Sequence, residues 1–321
     1  MLTITPLQDV QPVQPVAASE AKVHLADGRW QSLSGMSREE LHGLQWEQEQ
    51  QFARLILQAP KGSQQRDEFV AQAYDTVCSL LAAQQKDAGP LVMGLDKRYV
   101  RLVVRMLHNQ VNRGLGQPRL FEIGFGSGAL LKEVQAHGFH VGGVEVSSTM
   151  RDQAIKVLGE RFAHRLLIGG HQSIRLAAQT GRPSLIYWND VFEHVCPDEI
   201  SDYLSAIYES LVPGGALVTI TPNWLLRPSD VTGDFCPMRT EARGLHLKEY
   251  RLTEVSRLLK RAGFKRVATP LVVSRRRIIM CGSGLRIFKG WFEPVFDRLP
   301  VKCAHLLCRG MGMSCTVATK G

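Results

Sequence analysis

No apolar run in these 321 residues approaches the roughly 20 needed to cross a bilayer as a helix, so no membrane span is expected. Met1 to Glu20 lack a charged segment followed by an apolar one, and no secretion signal is expected either. The seven cysteines are odd in number and scattered, with no C-x-x-C pair. They are expected to be reduced thiols in a cytoplasmic protein, and no metal is expected because no ligand cluster is visible at metal-binding spacing. Aromatics make up only 7%, and no long Lys/Arg block accompanies them, so no nucleic-acid partner is expected. The formal charge of +9 favours anionic ligands or surfaces in general without naming one, and a solvated basic surface is the favoured explanation for it. The absence of an internal repeat excludes a solenoid.

What the chain does have is 44% hydrophobic residues, enough for one large domain or a main domain with an appendage. Residues 1–36, polar and containing Pro6, Pro12 and Pro15, are expected to be a disordered tail. Residues 37–115 form an expected helical region. Ser37 to Glu40 has capping-box spacing, and Leu41, Leu44, Phe52, Leu55 and Ile56 share a helical face that Pro60 ends. Two more helices follow from Phe69 to Leu81 and from Val100 to Val111.

From residue 116 the pattern changes to short apolar strands separated by helices. Strands are expected at Arg119 to Ile123, His140 to Glu145, Arg165 to Ile168, Leu185 to Asn189, Ala216 to Thr221, Lys265 to about Ser274 and Met313 to Thr319. Helices are expected at Ala129 to His137, Thr149 to Phe162, Asp198 to Leu211 and Thr253 to Ala262. Such alternation predicts an α/β fold with a doubly wound, seven-stranded, mostly parallel sheet, whose ligand sits at the carboxyl ends of the strands. Insertions are expected at about 222–250 and 278–311.

Glu122-Ile123-Gly124-Phe125-Gly126-Ser127-Gly128 closes the first of these strands and opens a helix. Gly124 to Ala129 also satisfies the dinucleotide pattern G-x-G-x-x-G/A, so an NAD(P)-binding oxidoreductase has to be weighed. Glu122 separates the two readings. A carboxylate where a pyrophosphate must sit would repel it, whereas it suits a ligand carrying an ammonium and a sulfonium. Asn189-Asp190-Val191-Phe192-Glu193-His194-Val195 after the fourth strand and Leu211-Val212-Pro213-Gly214-Gly215-Ala216 before the fifth complete the set.

With these motifs, Leu120 to Phe264 resembles the class I S-adenosylmethionine-dependent methyltransferases, especially the quinone-biosynthesis and natural-product branch. The resemblance implies S-adenosylmethionine as cofactor. Glu122, Gly124, Gly126 and Gly128 would line its methionine and ribose portion, Glu145 would take the ribose hydroxyls and Val146 would pack on adenine. His171 and Gln172 fall where family members hold the adenine edge, although Gly170-His171-Gln172 stands in place of the usual Gly-Asp pair. Asn189 and Asp190 would lie beside the methyl donor. A non-catalytic nucleoside-binding scaffold is the reading from another class, and the complete cofactor set argues against it.

On the acceptor side, the irregular stretch after Thr221 is expected to cover or shape the pocket. His246-Leu247-Lys248-Glu249-Tyr250 resembles a segment that walls the active site in this branch, so His246 is a candidate base, with a structural role as the alternative. Glu193 and His194 stand equally between a site role and packing. The Asn/Asp-Pro-Pro-aromatic tetrapeptide of nucleobase and glutamine methylation is missing, with Thr221-Pro222-Asn223-Trp224 in that region. A small-molecule acceptor is therefore expected, methylated on oxygen or nitrogen. Arg275, Arg276, Arg277, Arg286, Phe288, Lys289, Trp291 and Phe292 mix charge with aromatics. They fit contact with an anionic lipid, a carrier protein or a carboxylated substrate, or else a solvated basic face.

Overall fold

The computed structural model describes residues 22–85, 95–114, 116–179, 181–274 and 277–321. Residues 1–21 of the expected tail, and Arg275 and Arg276, lie outside them. The rest of that tail is ordered: β1 (Lys22–His24) and β2 (Trp30–Ser32) pair antiparallel. Val23, Leu25 and Leu33 are buried with Leu41 and Leu80. Three apolar side chains were enough to dock a segment whose composition read as polar.

The helix start signals work as expected. Ser37 Oγ accepts from the Glu40 amide while the Glu40 carboxylate accepts from the Ser37 amide at 2.7 Å, opening α1 (Arg38–Gln58). Ser63 caps α2 (Gln64–Gln84), and Asp96 caps α3 (Lys97–Asn112). Arg66, almost fully buried, ties the α1–α2 turn to the main domain. It donates to the Ala59 carbonyl and to Asp198 and Glu199, each carboxylate at 2.8 Å.

The main domain runs β3 (Arg119–Ile123), α4 (Ala129–Ala136), β4 (His140–Glu145), α5 (Ser148–Leu158), β5 (Leu166–Ile168), α6 (His171–Gln179), β6 (Leu185–Asn189), α7 (Ile200–Ser210) and β7 (Ala216–Ile220). It continues through α8 (Thr232–Phe235), α9 (Leu252–Arg261), β8 (Arg266–Ser274), β9 (Arg277–Cys281), α10 (Ser283–Phe296), α11 (Val301–Gly310) and β10 (Cys315–Thr319). The sheet has eight strands in the order β5-β4-β3-β6-β7-β10-β8-β9, one more than expected. The additional strand, β9, folds back antiparallel on β8 with a register shift between Val272 and Ser274. Strands β5, β4, β3, β6 and β7 are mutually parallel, and β10 inserts antiparallel between β7 and β8.

Alternation along the strands feeds two cores. Leu185 and Tyr187 of β6 face α3, α4 and α5, while Ile186 and Trp188 face α6, α7 and α9. The strand order reverses at β3, with β4 on one side and β6 on the other. The carboxyl ends of these three strands therefore frame the crevice in which an open α/β sheet binds its ligand.

Candidate active site

Glu122 stands one residue before the end of β3, and the chain then turns through Gly124 and Gly126, both left-handed (φ +67° and +50°). Glycine is favoured at Gly124 both by this φ and because a Cβ there would run into Val191 Cγ2. Glu145 ends β4, and its carboxylate accepts from the amides of Gly126 (2.8 Å), Val146 (2.8 Å) and Ser147 (3.2 Å), which fixes the loop against the strand. Asp190 follows β6 in a left-handed conformation unusual for a non-glycine residue (φ +51°). It accepts from Asn189 Nδ2 at 2.9 Å.

These residues line one cleft of about 460 Å³, closed on its far side by α2, which contributes Tyr74 and Cys78. Glu122, Gly124, Gly126, Glu145, Val146, Asn189, Asp190 and His194 all face it. Gly128, His171 and Gln172 are not among the residues that line it. Gly128 (φ +74°) instead brings α4 close to α5, since its Cβ would sit 3.0 Å from Ala154 Cβ. His171 begins α6 and packs on Tyr203, itself a residue of the cleft wall, with ring centroids 5.3 Å apart. The Gly169-Gly170 backbone takes the cleft wall in their place.

The cleft is acidic, and the carboxylates of Glu122 and Glu145 are buried. Burial, reinforced by the like charge of Glu145, holds the Glu122 carboxyl well above the usual carboxylate range, and burial raises Glu145 as well despite its three amide donors. Glu122 Oε2 is buried without a hydrogen-bond partner among the described residues.

Behind the Asp190 end lies a second cluster. His194 Nδ1 is 2.8 Å from the Leu245 carbonyl. His246 stands perpendicular to it with ring centroids 4.6 Å apart, its Nδ1 at 3.2 Å from Ser229 Oγ and 3.5 Å from Glu249 Oε1, its Nε2 at 3.9 Å from Glu193 Oε1. Glu193 is fully buried. Ligand atoms of Glu193, His194 and His246 lie within 4.8 Å of one another, a group able to hold a metal ion that no sequence spacing announced. Burial, together with the neighbouring Asp190 charge, raises the Glu193 carboxyl, relieved in part by His246. Against the cost of its own burial, His246 is raised by its hydrogen bond to Glu249 and by the Glu193 charge. Both shifts favour bound protons. His194, by contrast, is pushed well below the ordinary histidine range by burial and then by His246, and so stays neutral. His194 is in the cleft wall, whereas His246 opens onto a separate hollow with Trp224 and Glu249.

The stretch from Pro222 to Tyr250 carries His246 and is firmly held. The Glu49 carboxylate of α1 accepts from the Leu245 amide at 3.2 Å, and Asp230 accepts from the Gly244 amide at 2.9 Å. Pro222, Pro228 and Ser229 line a groove of about 480 Å³ that runs from Asp190 to His305 and Arg309 of α11.

Compared with known protein families, residues 68–269, well over half of the chain, match the family described as methyltransferase domain. The chain belongs to that family. It is a class I, S-adenosylmethionine-dependent methyltransferase, and the nicotinamide reading of the glycine loop falls away. The residues present fit this cofactor, since the methyltransferase offers a cationic ligand an unpartnered buried carboxylate oxygen beneath a glycine turn. Among solved structures, a SAM-dependent methyltransferase from Archaeoglobus fulgidus is 17% identical, covering 69% of this chain and 94% of that one at a TM-score of 0.42. An O-methyltransferase family protein from Burkholderia thailandensis is 16% identical, covering 77% and 70% at 0.44. Magnesium protoporphyrin IX methyltransferase from Synechocystis PCC 6803 is 17% identical, covering 75% and 94% at 0.40. Comparison with curated proteins finds no match. Among the described residues no helix is long and apolar enough to cross a membrane.

Proposed function

We propose that this methyltransferase methylates a hydroxyl oxygen of a small organic acceptor bound between Asp190, His194 and the inner face of α2. The carrying observation is His194, a neutral imidazole in the cleft wall whose Nδ1 is committed to the Leu245 carbonyl. That bond fixes the tautomer with hydrogen on Nδ1, so Nε2 keeps its lone pair for a hydroxyl proton. His246, the candidate read from the sequence, stands behind it and is already protonated, which suits it to position and polarise rather than to act as base.

S-adenosylmethionine supplies a methyl carbon on a sulfonium. Glu122, Gly124, Gly126, Glu145 and Val146 hold it, and Asn189 and Asp190 flank the acceptor side. The residues align rather than react, and orientation in the closed cleft provides most of the rate. The helical region contributes the acceptor wall through Tyr74 and Cys78 of α2.

A second reading rests on the cluster itself. Both histidines have Nδ1 engaged, by Leu245 and by Ser229 and Glu249, which leaves Nε2 of each as the available ring nitrogen beside Glu193. Outer partners of this kind orient metal-binding imidazoles, and a divalent cation there would lower the acceptor hydroxyl's pKa.

Methyl transfer from isotopically labelled cofactor to a panel of hydroxylated and aminated compounds tests the function. O-methyl products are expected, with His194→Ala lowering turnover about a hundredfold while cofactor affinity holds. Exclusive N-methylation, or full turnover by the variant, would end the proposal. Loss of activity after EDTA treatment, restored by magnesium or manganese, selects the metal reading, and indifference to EDTA selects His194 as the base.

A further inference from the structure

Helix α10 is docked inside out. Its buried face is polar, with Lys289 and Glu293 fully enclosed. Lys289 Nζ donates to Thr269 Oγ1 and to the Pro270 carbonyl, each at 2.7 Å. Glu293 accepts from Asn223 Nδ2 at 2.8 Å and from the Leu252 amide at 2.7 Å. The outward face is apolar: Ile287, Phe288, Trp291, Phe292 and Val295 fall on one helical stripe, with Trp291 75% exposed. The Phe288 and Phe292 rings lie 4.5 Å apart, so the stripe presents an aromatic surface. A helix on a water-exposed domain shows the reverse arrangement, and a contiguous exposed patch of this kind marks an interaction site.

Charge narrows the partner. Between Arg277 and Gly310 there are two carboxylates, Glu293 sealed inside and Asp297 held by Arg227 (2.9 Å) and Arg251 (3.0 Å). Arg277, Arg298, Lys302 and Arg309 are exposed on the same stretch. An apolar, tryptophan-bearing stripe flanked by unopposed cations complements a surface that is anionic outside and apolar beneath. A second copy of the chain is disfavoured, because apposing two such faces would bring like charges together.

We propose that the outward face of α10 docks this methyltransferase onto an anionic lipid bilayer, with Trp291, Phe288 and Phe292 entering the boundary between headgroups and acyl chains. Arg298, on the turn into α11, and Lys302, in the first turn of α11, meet the phosphates. Helix α11, which follows this turn, also lines the groove that begins at Asp190, through His305 and Arg309.

Flotation of the full chain with vesicles of phosphatidylcholine alone, or mixed with phosphatidylglycerol, tests the proposal. The wild type is expected to float with the mixed vesicles and not with phosphatidylcholine alone, and less well as salt rises. Trp291→Glu combined with Phe288→Glu should weaken partition on the order of tenfold or more, as should Arg298→Glu combined with Lys302→Glu. All four side chains are exposed, so the fold is expected to hold, with circular dichroism and thermal melting as the check. Failure of the wild type to float, or undiminished flotation of both variants, overturns the proposal. So does a dimer in analytical ultracentrifugation that the Trp291 and Phe288 variant dissolves while vesicles are ignored.

Discussion

Replacing Glu122 by Gln separates the cost of the cofactor carboxylate from its use. The carboxyl is buried, with one oxygen unpartnered, and its pKa is raised by burial and by Glu145 from an ordinary value of 4.5. Above 4.5 the unfolded chain has released this proton while the fold still holds it. Rising pH through that range, up to the raised folded value, therefore lowers stability. The neutral amide escapes this penalty. Glu122→Gln should melt higher than wild type at about pH 8 and lose that advantage towards about pH 5. Cofactor binding should move the other way. The ammonium and sulfonium favour the ionised carboxylate, so binding releases a proton and tightens with pH by at most about tenfold per unit. Removing a charge-assisted contact of about 1.5–3 kcal/mol weakens binding about ten- to a hundredfold. Calorimetry of S-adenosylmethionine binding in buffers of different ionisation enthalpy reads affinity and proton release together. Equal affinity and equal proton release in the two proteins would refute this account of the site.

Glu293→Ala leaves Asn223 Nδ2 and the Leu252 amide without their buried acceptor, a loss of about 3–4 kcal/mol and a melting temperature about 6–10 °C lower. A fall below about 2 °C would show that α10 is anchored by other contacts. Gly124→Ala meets both a left-handed φ and Val191 Cγ2, whereas Gly126→Ala meets only the φ. Thermal melting without cofactor should show Gly124→Ala as the more damaging by about 1–2 kcal/mol, and equal losses would contradict the close packing of Val191.

Most of the sheet was legible because its strands are short, apolar and bounded by turns. β3, β4 and β6 begin and end where the alternation said they would. Harder cases share a physical cause, which is that their partners are remote in sequence. The β1–β2 hairpin is held by Leu41 and Leu80 of two helices and carries too few apolar residues to be read alone. α6 starts immediately after two glycines, where a loop was the natural expectation. α10 lay in the expected insertion at about 278–311, and its apolar stripe points outward, so an apolar pattern there does not mark the buried side. At the site, residues joined to the glycine turn by a strand end were readable: Glu122, Glu145 and Asp190 all reach the cleft. The meeting of Glu193 and His194 with His246 depends on a long loop pinned by Glu49 and Asp230, and no local pattern encodes that course.

The position of β10 bears on how the protein is made. Its five residues fill the gap between β7 and β8, yet on the ribosome they emerge only after α8 through α11. Until then one edge of the buried strand β7 is unpaired, and β8 with β9 has no place in the sheet. The parallel half and the residues that line the cofactor cleft all precede β10 in the sequence, so this flank is the last part of the sheet that can close. Closing that flank requires pairing across a long loop, the slow kind of contact, which makes the waiting edge of β7 the natural point for a chaperone to shield.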